Sequence, residues 1–395
     1  MTDYQSVYLK KGKDESLRRR HPWVFSGALS NVDDGVKEGD IVKVISSDGE
    51  TLGVGHFQLG SIAVRMLAFE DVVIDNAFWN RRLALALDMR VATGIVENGQ
   101  GNTFRLVHGE GDQLPGLVVD CYGETAVIQA HSVGMHESRM EISNALMQLE
   151  RLNIKNIYYK SETTLPFKAG VDTENGFLVG DGADDVAVEN GLHFHIDWLR
   201  GQKTGFFIDQ RDNRQLLEHY AKGKNVLNMF CYTGGFSVYA LRGGAYLVHS
   251  VDSSEKAISL TRQNVDLNFP ADTRHEAFCE DAFRFLDKAT GKYDLIILDP
   301  PAFAKHRHAL HNALKGYTRL NAKGIEMVKP GGIIFTFSCS QAVSKEQFQA
   351  AVFTAALRAH RNVRILHQMH QPADHPINIY HPEGEYLKGL VLYVE

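Results

Sequence analysis

Asp299-Pro300-Pro301 closes the apolar run LIIL, and forty residues later the run IIFTFS ends in Ser338-Cys339-Ser340. Two adjacent prolines cannot continue a strand ladder, so they would hold Asp299 at the rim of a sheet. A cysteine at a strand end is ordinarily a small buried hydrophobe. Cys339 instead sits between hydroxyls, which favours a nucleophile. Upstream, VLNMF runs into Tyr232-Thr233-Gly234-Gly235 and at once into a helical stretch. Glycines there let a ligand approach the backbone, and the helix start offers free N–H groups. The run YLVHSVD ends in Asp252, 17 residues after Gly235. A carboxylate at that place is the expected partner of a ribose diol, and with Ser253 and Ser254 it reads equally as a helix cap. Glu280-Asp281-Ala282 ends the next segment, where Asp281 would accept from an adenine amino group or, again, cap a helix.

The elements that must position these residues are strands and helices in strict alternation. NVLNMF, YLVHSVD, YDLIILD and GGIIFTFS read as strands, each followed by a helical stretch. Repeated βα units give a parallel sheet with helices on both faces, and ligands bind beyond the carboxyl ends of its strands. In the usual order of such sheets the strands that end at Asp299 and at Ser338 are neighbours, so Asp299 and Cys339 would face one pocket.

The chain before this is different. SVYL, IVKVIS, TLGVGHF and IAVRMLAF are short strand-like runs, with a hairpin turn expected at Ser47-Asp48-Gly49-Glu50. Asp75-Asn76 is an expected cap for a helix to about Thr93, carrying Phe78, Leu85 and Met89. FRLV, GLVVDCY and TAVIQAH follow as strands, then a helix with Ile142, Leu146 and Leu149 on one face, then the strand NIYY. Gly, Asp and Glu dominate 161–190, which suggests loops and a boundary near Asn190. The division predicted is 1–75, 76–190 and 191–395.

Composition narrows the classes. Apolar residues make 44% of the 395 positions and charged residues 23%, a globular balance. The N-terminus lacks an apolar signal core, and no run approaches a membrane span of about 20 residues. Cys121, Cys231, Cys279 and Cys339 are dispersed without CxxC spacing, which favours reduced thiols in a cytoplasmic protein over a disulfide or zinc framework. The net charge of −6 alone gives no reason to expect nucleic acid, but 191–395 carries +4. Lys305, Arg307, Lys315, Arg319, Lys323 and Lys329 follow Pro301 with Glu326 as the one acid, so positive charge borders the pocket. A second basic cluster, KKGKDESLRRRH, occupies 10–21. GQKT at 201–204 lacks the frame of a P-loop. His193 with His195, and His306, His308 and His311, lack carboxylate or cysteine partners at ligand spacing, so no metal is expected.

Together these motifs resemble the RlmI-like family of bacterial 23S rRNA cytosine-C5 methyltransferases. The resemblance runs through RRRHPWVFSGAL, KTGFFIDQRDNR (203–214), NMFCYTGGFSVYA, VDSSEKAI, DPPAF, FTFSCS and the tail HPEGEYLKGL. It implies an α/β protein: an N-terminal PUA-like β-barrel that binds RNA, a mixed α/β middle domain and a C-terminal Rossmann-like sheet that binds S-adenosylmethionine. Asn228, Phe230, Tyr232, Thr233, Gly234 and Gly235 would surround the methionine part of that cofactor. Asp252 and Ser253 would hold its ribose, Asp281 and Ala282 its adenine, and Gln210 with Arg211 would close over it. Asp299 and the Pro300 backbone would read the cytosine edge, with Pro301, Lys305 and Arg307 on the substrate side. Cys339 would add to C6. Related RNA cytosine-C5 enzymes carry a second cysteine where this chain has Pro301-Ala302, so the group assisting thiol release is not identified. Cys231 is expected to be structural. A flipped or exposed base in 23S rRNA is the expected substrate, with no membrane partner, and the family implies a homodimer. Two other readings stay open: an adenine or guanine amino methyltransferase that needs no thiol, and a non-catalytic RNA-binding assembly factor.

Overall fold

Short apolar runs broken by Gly and Asp turns fold as hairpins. The computed structural model describes residues 2–96, 99–166, 174–182, 185–288, 291–304 and 309–395. Among these, β1 (Ser6–Leu9), β2 (Trp23–Phe25), β3 (Leu29–Val32), β4 (Ile41–Ile45), β5 (Thr51–Phe57) and β6 (Ile62–Ala68) make one sheet in the order β2-β6-β5-β4-β1-β3. The short helix α1 (Glu15–Arg18) lies between β1 and β2 in the chain. The predicted turn at 47–50 forms, with Ser46 Oγ accepting from the N–H groups of Asp48 and Glu50. Val7, Val24, Val42, Val44 and Val64 supply the enclosed face.

Next comes α2 (Asn76–Ala92), started by Asp75, whose carboxylate accepts from the Phe78 N–H at 2.9 Å. Its buried face is Phe78, Trp79, Leu83, Ala86, Leu87 and Arg90, whereas Leu85 is 54% exposed. The apolar face therefore lies about one position away from the predicted one. Burying Arg90 forces this choice: its guanidinium pairs with Asp112 and donates to the carbonyls of Arg105 and Asp374, each at 2.8 Å. A buried charge so fully partnered is tolerated where a lone one is not.

This helix packs with α4 (Arg139–Met147), which follows the short α3 (Val133–Glu137), over a second sheet. That sheet runs β11-β10-β9-β8-β7, from β7 (Thr103–His108), β8 (Leu117–Tyr122), β9 (Thr125–Ala130), β10 (Asn156–Tyr159) and β11 (Gly176–Val179). Then come β12 (Val186–Glu189) and β13 (Leu192–His195). The backbone N–H groups of His193 and His195 are taken by Asn268 and Asn264, so these two histidines mark a strand edge.

The third sheet is the parallel one expected: β14 (Asn225–Met229), β15 (Leu247–Asp252), β16 (His275–Cys279), β17 (Leu295–Leu298) and β18 (Gly332–Ser338). β19 (Val363–Met369) and β20 (Lys388–Val394) add an antiparallel hairpin, giving the order β16-β15-β14-β17-β18-β20-β19 among the described residues. Every residue of β17 and β18 is buried, as a central parallel pair covered on both faces requires. Helices α5 (Arg211–Tyr220) and α6 (Gly235–Arg242) pack together, α7 (Glu255–Asn268) covers β15 and β16, and α8 (Ala282–Lys288), α9 (Leu310–Met327) and α10 (Lys345–Arg358) complete the set.

The chain separates into two compact units, 1–190 with 196–208 and 373–384, and 191–195 with 209–372 and 385–395. Residues 196–208 and 373–384, which a single boundary at 190 assigns to the last domain, belong to the first unit. No described helix is long and apolar enough to cross a membrane.

Candidate active site

In the second unit Met229 pairs with Val251 and Leu298, and Leu298 with Thr336, so the carboxyl ends of β14, β15, β17 and β18 open along one rim. Three left-handed residues shape the loop after β14: Phe230 (φ +57°), Tyr232 (+47°) and Gly234 (+79°). Two of them carry side chains, at a strain of about 1–3 kcal/mol apiece. The surroundings hold them there. The Tyr232 N–H donates to Asp252 Oδ2 at 3.0 Å, and the Tyr232 and Thr233 carbonyls accept from Thr261 Oγ1 (2.9 Å) and Asn264 Nδ2 (2.8 Å) of α7. Asp252 is thus a loop anchor, its other oxygen taking the Ser254 N–H at 2.9 Å, while Ser254 itself caps α7. Ser253 is exposed, and its carbonyl accepts from the Cys279 thiol at 3.6 Å. Buried Cys231 lies 3.6 Å from Thr261 Oγ1, and burial pushes its thiol up to about 12, so it remains a neutral filler.

This loop ends where α6 begins, beside Asn228. Its Nδ2 donates to Ser237 Oγ at 2.9 Å, but its buried Oδ1 has no hydrogen-bond partner. An unpaired buried acceptor next to a helix N-terminus complements a ligand bearing both an ammonium and a carboxylate. The amino-acid end of S-adenosylmethionine is such a ligand, so these residues fit it. A Cβ at Gly234 would meet Thr261 Cγ2 at 2.7 Å, in a backbone conformation that L side chains avoid. Gly234→Ala is therefore expected to weaken S-adenosylmethionine binding at least tenfold in calorimetry and to lower stability by roughly 1–3 kcal/mol. At the next strand end Asp281 caps α8, accepting from Phe283 and Arg284 at 3.1 Å, and the Ala282 side chain is buried.

The second cluster gathers at β17 and β18. Asp299 keeps some exposure, yet desolvation, reinforced by the nearby Asp209 charge, pushes its carboxyl up to about 7. Gln210 Nε2 donates to Asp299 Oδ2 at 3.1 Å, and Asn213 fixes the Gln210 amide by donating to its Oε1 at 2.7 Å. Arg211 pairs with Asp212 at 3.5 Å. Arg214, four residues beyond Gln210 on the same buried face, is the arginine that favours the Asp299 anion and lies against Gly235. Sequence reasoning missed it, although the i, i+4 spacing from Gln210 was a usable signal.

Cys339 follows β18, half-buried, its thiol 4.0 Å from the Pro300 carbonyl. The Asp-Pro-Pro turn and the cysteine therefore meet. Pro300 is buried and Pro301 exposed, while Lys305 and Arg307 lie outside the described residues. Lys388 opens β20 opposite Ser338, and its ammonium donates to the Ser340 carbonyl at 2.7 Å. Burial pulls this lysine down to about 8, and the nearby Cys339 charge partly restores it. Ser340 Oγ, 3.0 Å from the Tyr317 hydroxyl, fixes the residue after the thiol. Sequence reasoning missed Lys388 as well; a single lysine at the head of an apolar strand was its signal.

Residues 105–378 match the family model described as S-adenosylmethionine-dependent methyltransferase, and residues 7–69 match a PUA-like domain. The chain is 40% identical over 394 residues to a protein of Alteromonas mediterranea named ribosomal RNA large subunit methyltransferase I, with 98% of each chain covered. Proteins of the same name from Tolumonas auensis and Klebsiella pneumoniae are 41% and 37% identical, covering 98% and 100% of each chain. Among solved structures, a methyltransferase complexed with SAH superposes with a TM-score of 0.84 at 24% identity, covering 98% of this chain and 99% of that one. A SAM-dependent methyltransferase from Streptococcus mutans gives 0.83 at 23%, with the same coverage. These two show the fold.

Proposed function

We propose, for a chain that belongs to the S-adenosylmethionine-dependent methyltransferase family, that it methylates C5 of a cytosine in large-subunit ribosomal RNA through a covalent adduct on Cys339. The observation that carries this reading is the meeting of Cys339 with the Asp299-Pro300 turn, 4.0 Å from sulfur to carbonyl, beside the Lys388 ammonium. The name shared by the full-length relatives supports ribosomal RNA as the substrate, and with it a cytoplasmic site of action. The PUA-like domain supports RNA binding. In its basic cluster Lys10 donates to the Gly27 carbonyl at 3.0 Å, Arg18 is tied to Asp14 and Glu50, and Arg19 to Glu15, which leaves Lys11, Lys13 and Arg20 as the phosphate contacts we favour.

Cytosine C5 is a poor nucleophile until C6 is attacked. The Cys339 thiolate forms a bond to C6, the C5=C6 π electrons move toward N3, and the ring becomes an enamine nucleophilic at C5. Bound S-adenosylmethionine supplies an electrophilic methyl group on a sulfonium. After C5 is methylated, loss of the C5 proton and expulsion of the thiolate restore the double bond. Lys388 favours the thiolate both as nucleophile and as leaving group. Asp299, protonated near neutrality, donates to N3 where negative charge develops. Gln210 and Asn213 hold that carboxyl in place.

The test incubates the full chain with methyl-labelled S-adenosylmethionine and unmodified large-subunit RNA, then maps the label by mass spectrometry. Label on C5 of one cytosine is expected. Label on adenine or guanine nitrogen overturns the assignment and leaves the amino methyltransferase reading in its place.

A further inference from the structure

The first unit contains a cluster that methyl transfer does not use. It joins two motifs of the sequence, HPW at 21–23 and HPEG at 381–384, brought together by the return of residues 373–384 to this unit. One donor atom each from His21, His381 and Glu383 lies within 4.8 Å of the others, and His381 Nε2 is 3.8 Å from Glu383 Oε2. His381 is only 3% exposed, yet neither of its ring nitrogens has a hydrogen-bond partner. A buried imidazole with two unmet polar atoms is costly, and such exceptions call for a partner. An ion pair with Glu383 does not supply one. At 3.8 Å no hydrogen bond forms, and Nδ1 would still be unmet.

We propose that His21, His381 and Glu383 form a binding site for a first-row divalent transition-metal ion, with zinc the best match. Two imidazoles and one carboxylate suit zinc, whereas magnesium and calcium select oxygen ligands. Tetrahedral zinc separates its donors by about 3.4 Å, so the side chains must close by roughly an ångström. Glu383 is exposed and His21 half-buried, so both have room to move. The surrounding groups hold the cluster's shape: the His21 Nδ1 accepts from the Trp23 N–H at 3.2 Å and lies 3.4 Å from the Trp23 carbonyl, and the Trp23 ring packs edge-on against His381 with centroids 4.3 Å apart. Trp23 Nε1 in turn donates to Glu110 at 2.8 Å, and Asn378 Nδ2 donates to the Glu110 carbonyl at 3.0 Å. These contacts fix the Trp23 ring, and through it the His21 and His381 rings that it touches. The ion would clip residue 21 to residues 381–383 across most of the chain. This departs from the sequence reading, which assigned no metal after weighing other histidines.

The experiment titrates chelator-treated full-length protein with Zn2+ by calorimetry and with Co2+ by visible absorption. One equivalent is expected, raising the melting temperature and giving cobalt bands without thiolate-to-metal charge transfer. His381→Ala should raise the Zn2+ dissociation constant at least 100-fold, and Glu383→Gln about tenfold. His21→Ala, at a half-buried position, repeats the test should His381→Ala misfold. A Cys279→Ser/Cys339→Ser double variant should bind as the parent does. Equal binding by the parent and His21→Ala overturns the proposal, as does loss of binding in the double cysteine variant.

Discussion

Replacing Cys339 with alanine is expected to abolish methyl transfer while S-adenosylmethionine binding is unchanged. The rate should fall at least roughly 10⁴-fold, the scale on which removal of a covalent nucleophile acts. Serine should fare no better, because its hydroxyl is scarcely ionised at neutral pH and Lys388 cannot offset that difference. The cofactor loop lies at the end of β14 and is held by Asp252 of β15 and by Thr261 and Asn264 of α7, whereas Cys339 follows β18, so binding should survive. The thiol is half-buried, and its loss should cost stability no more than about 1 kcal/mol. A second measurement reaches the intermediate itself. In RNA carrying 5-fluorocytosine, C5 cannot shed fluorine as a cation after methylation, so elimination stalls and the protein stays bound to RNA through Cys339. Denaturing electrophoresis should show that complex for the parent and none for Cys339→Ala. A variant that keeps more than a tenth of the parental rate would falsify the covalent route, and the same residues would then serve an amino methyltransferase.

Much of this site could be read along the chain because its signals are local. Asp299-Pro300-Pro301 ends a strand by covalent geometry alone, and Gly234 marks a turn that only a left-handed residue completes. The parallel order followed from strand–helix alternation, which is why Cys339 and Asp299 could be expected on neighbouring strands. Where one residue type serves two purposes, sequence could not choose. Asp281 does cap its helix, whereas within Asp252-Ser253-Ser254 it is Ser254 that caps, which frees Asp252 to anchor the loop. Lys388 was out of reach for another reason. It lies 49 residues after Cys339 on an antiparallel strand that no βα repeat foretells, and only the β18–β20 register brings the two together. The same return of the chain tail hid the convergence of His21 with His381. Leu85 illustrates a smaller failure: helical spacing alone fits more than one face, and the buried Arg90 network selected another.

Asp299→Asn should make the protein less active and, at alkaline pH, more stable. The carboxyl titrates near 7 in the fold against an ordinary value of 3.8, raised first by desolvation and then by Asp209. A raised carboxyl means that the native state binds the extra proton between about pH 4 and 7, so this group's contribution falls as pH climbs through that window. Asparagine does not titrate. The variant should therefore match the parent near pH 4 and gain about 2–4 kcal/mol by pH 8, read from urea unfolding at each pH. Activity should move the other way. Below about 7 the parent donates a proton toward N3, and asparagine can offer only a hydrogen bond, so the rate at pH 6.5 should drop by about 10²–10⁴. The alkaline limb should also change position. In the parent it reflects loss of the Asp299 proton near 7 and of the Lys388 charge near 8. In Asp299→Asn only the lysine step remains, and the limb should shift toward 8. Lys388→Met should remove that step and slow the reaction by roughly 10–100-fold, the worth of a charge-assisted contact to the thiolate. Arginine at 388 should restore part of the rate, because it keeps the positive charge. A stability gain in Asp299→Asn that does not grow with pH would mean that the carboxylate is already ionised at neutrality, and its role as proton donor would fall with it.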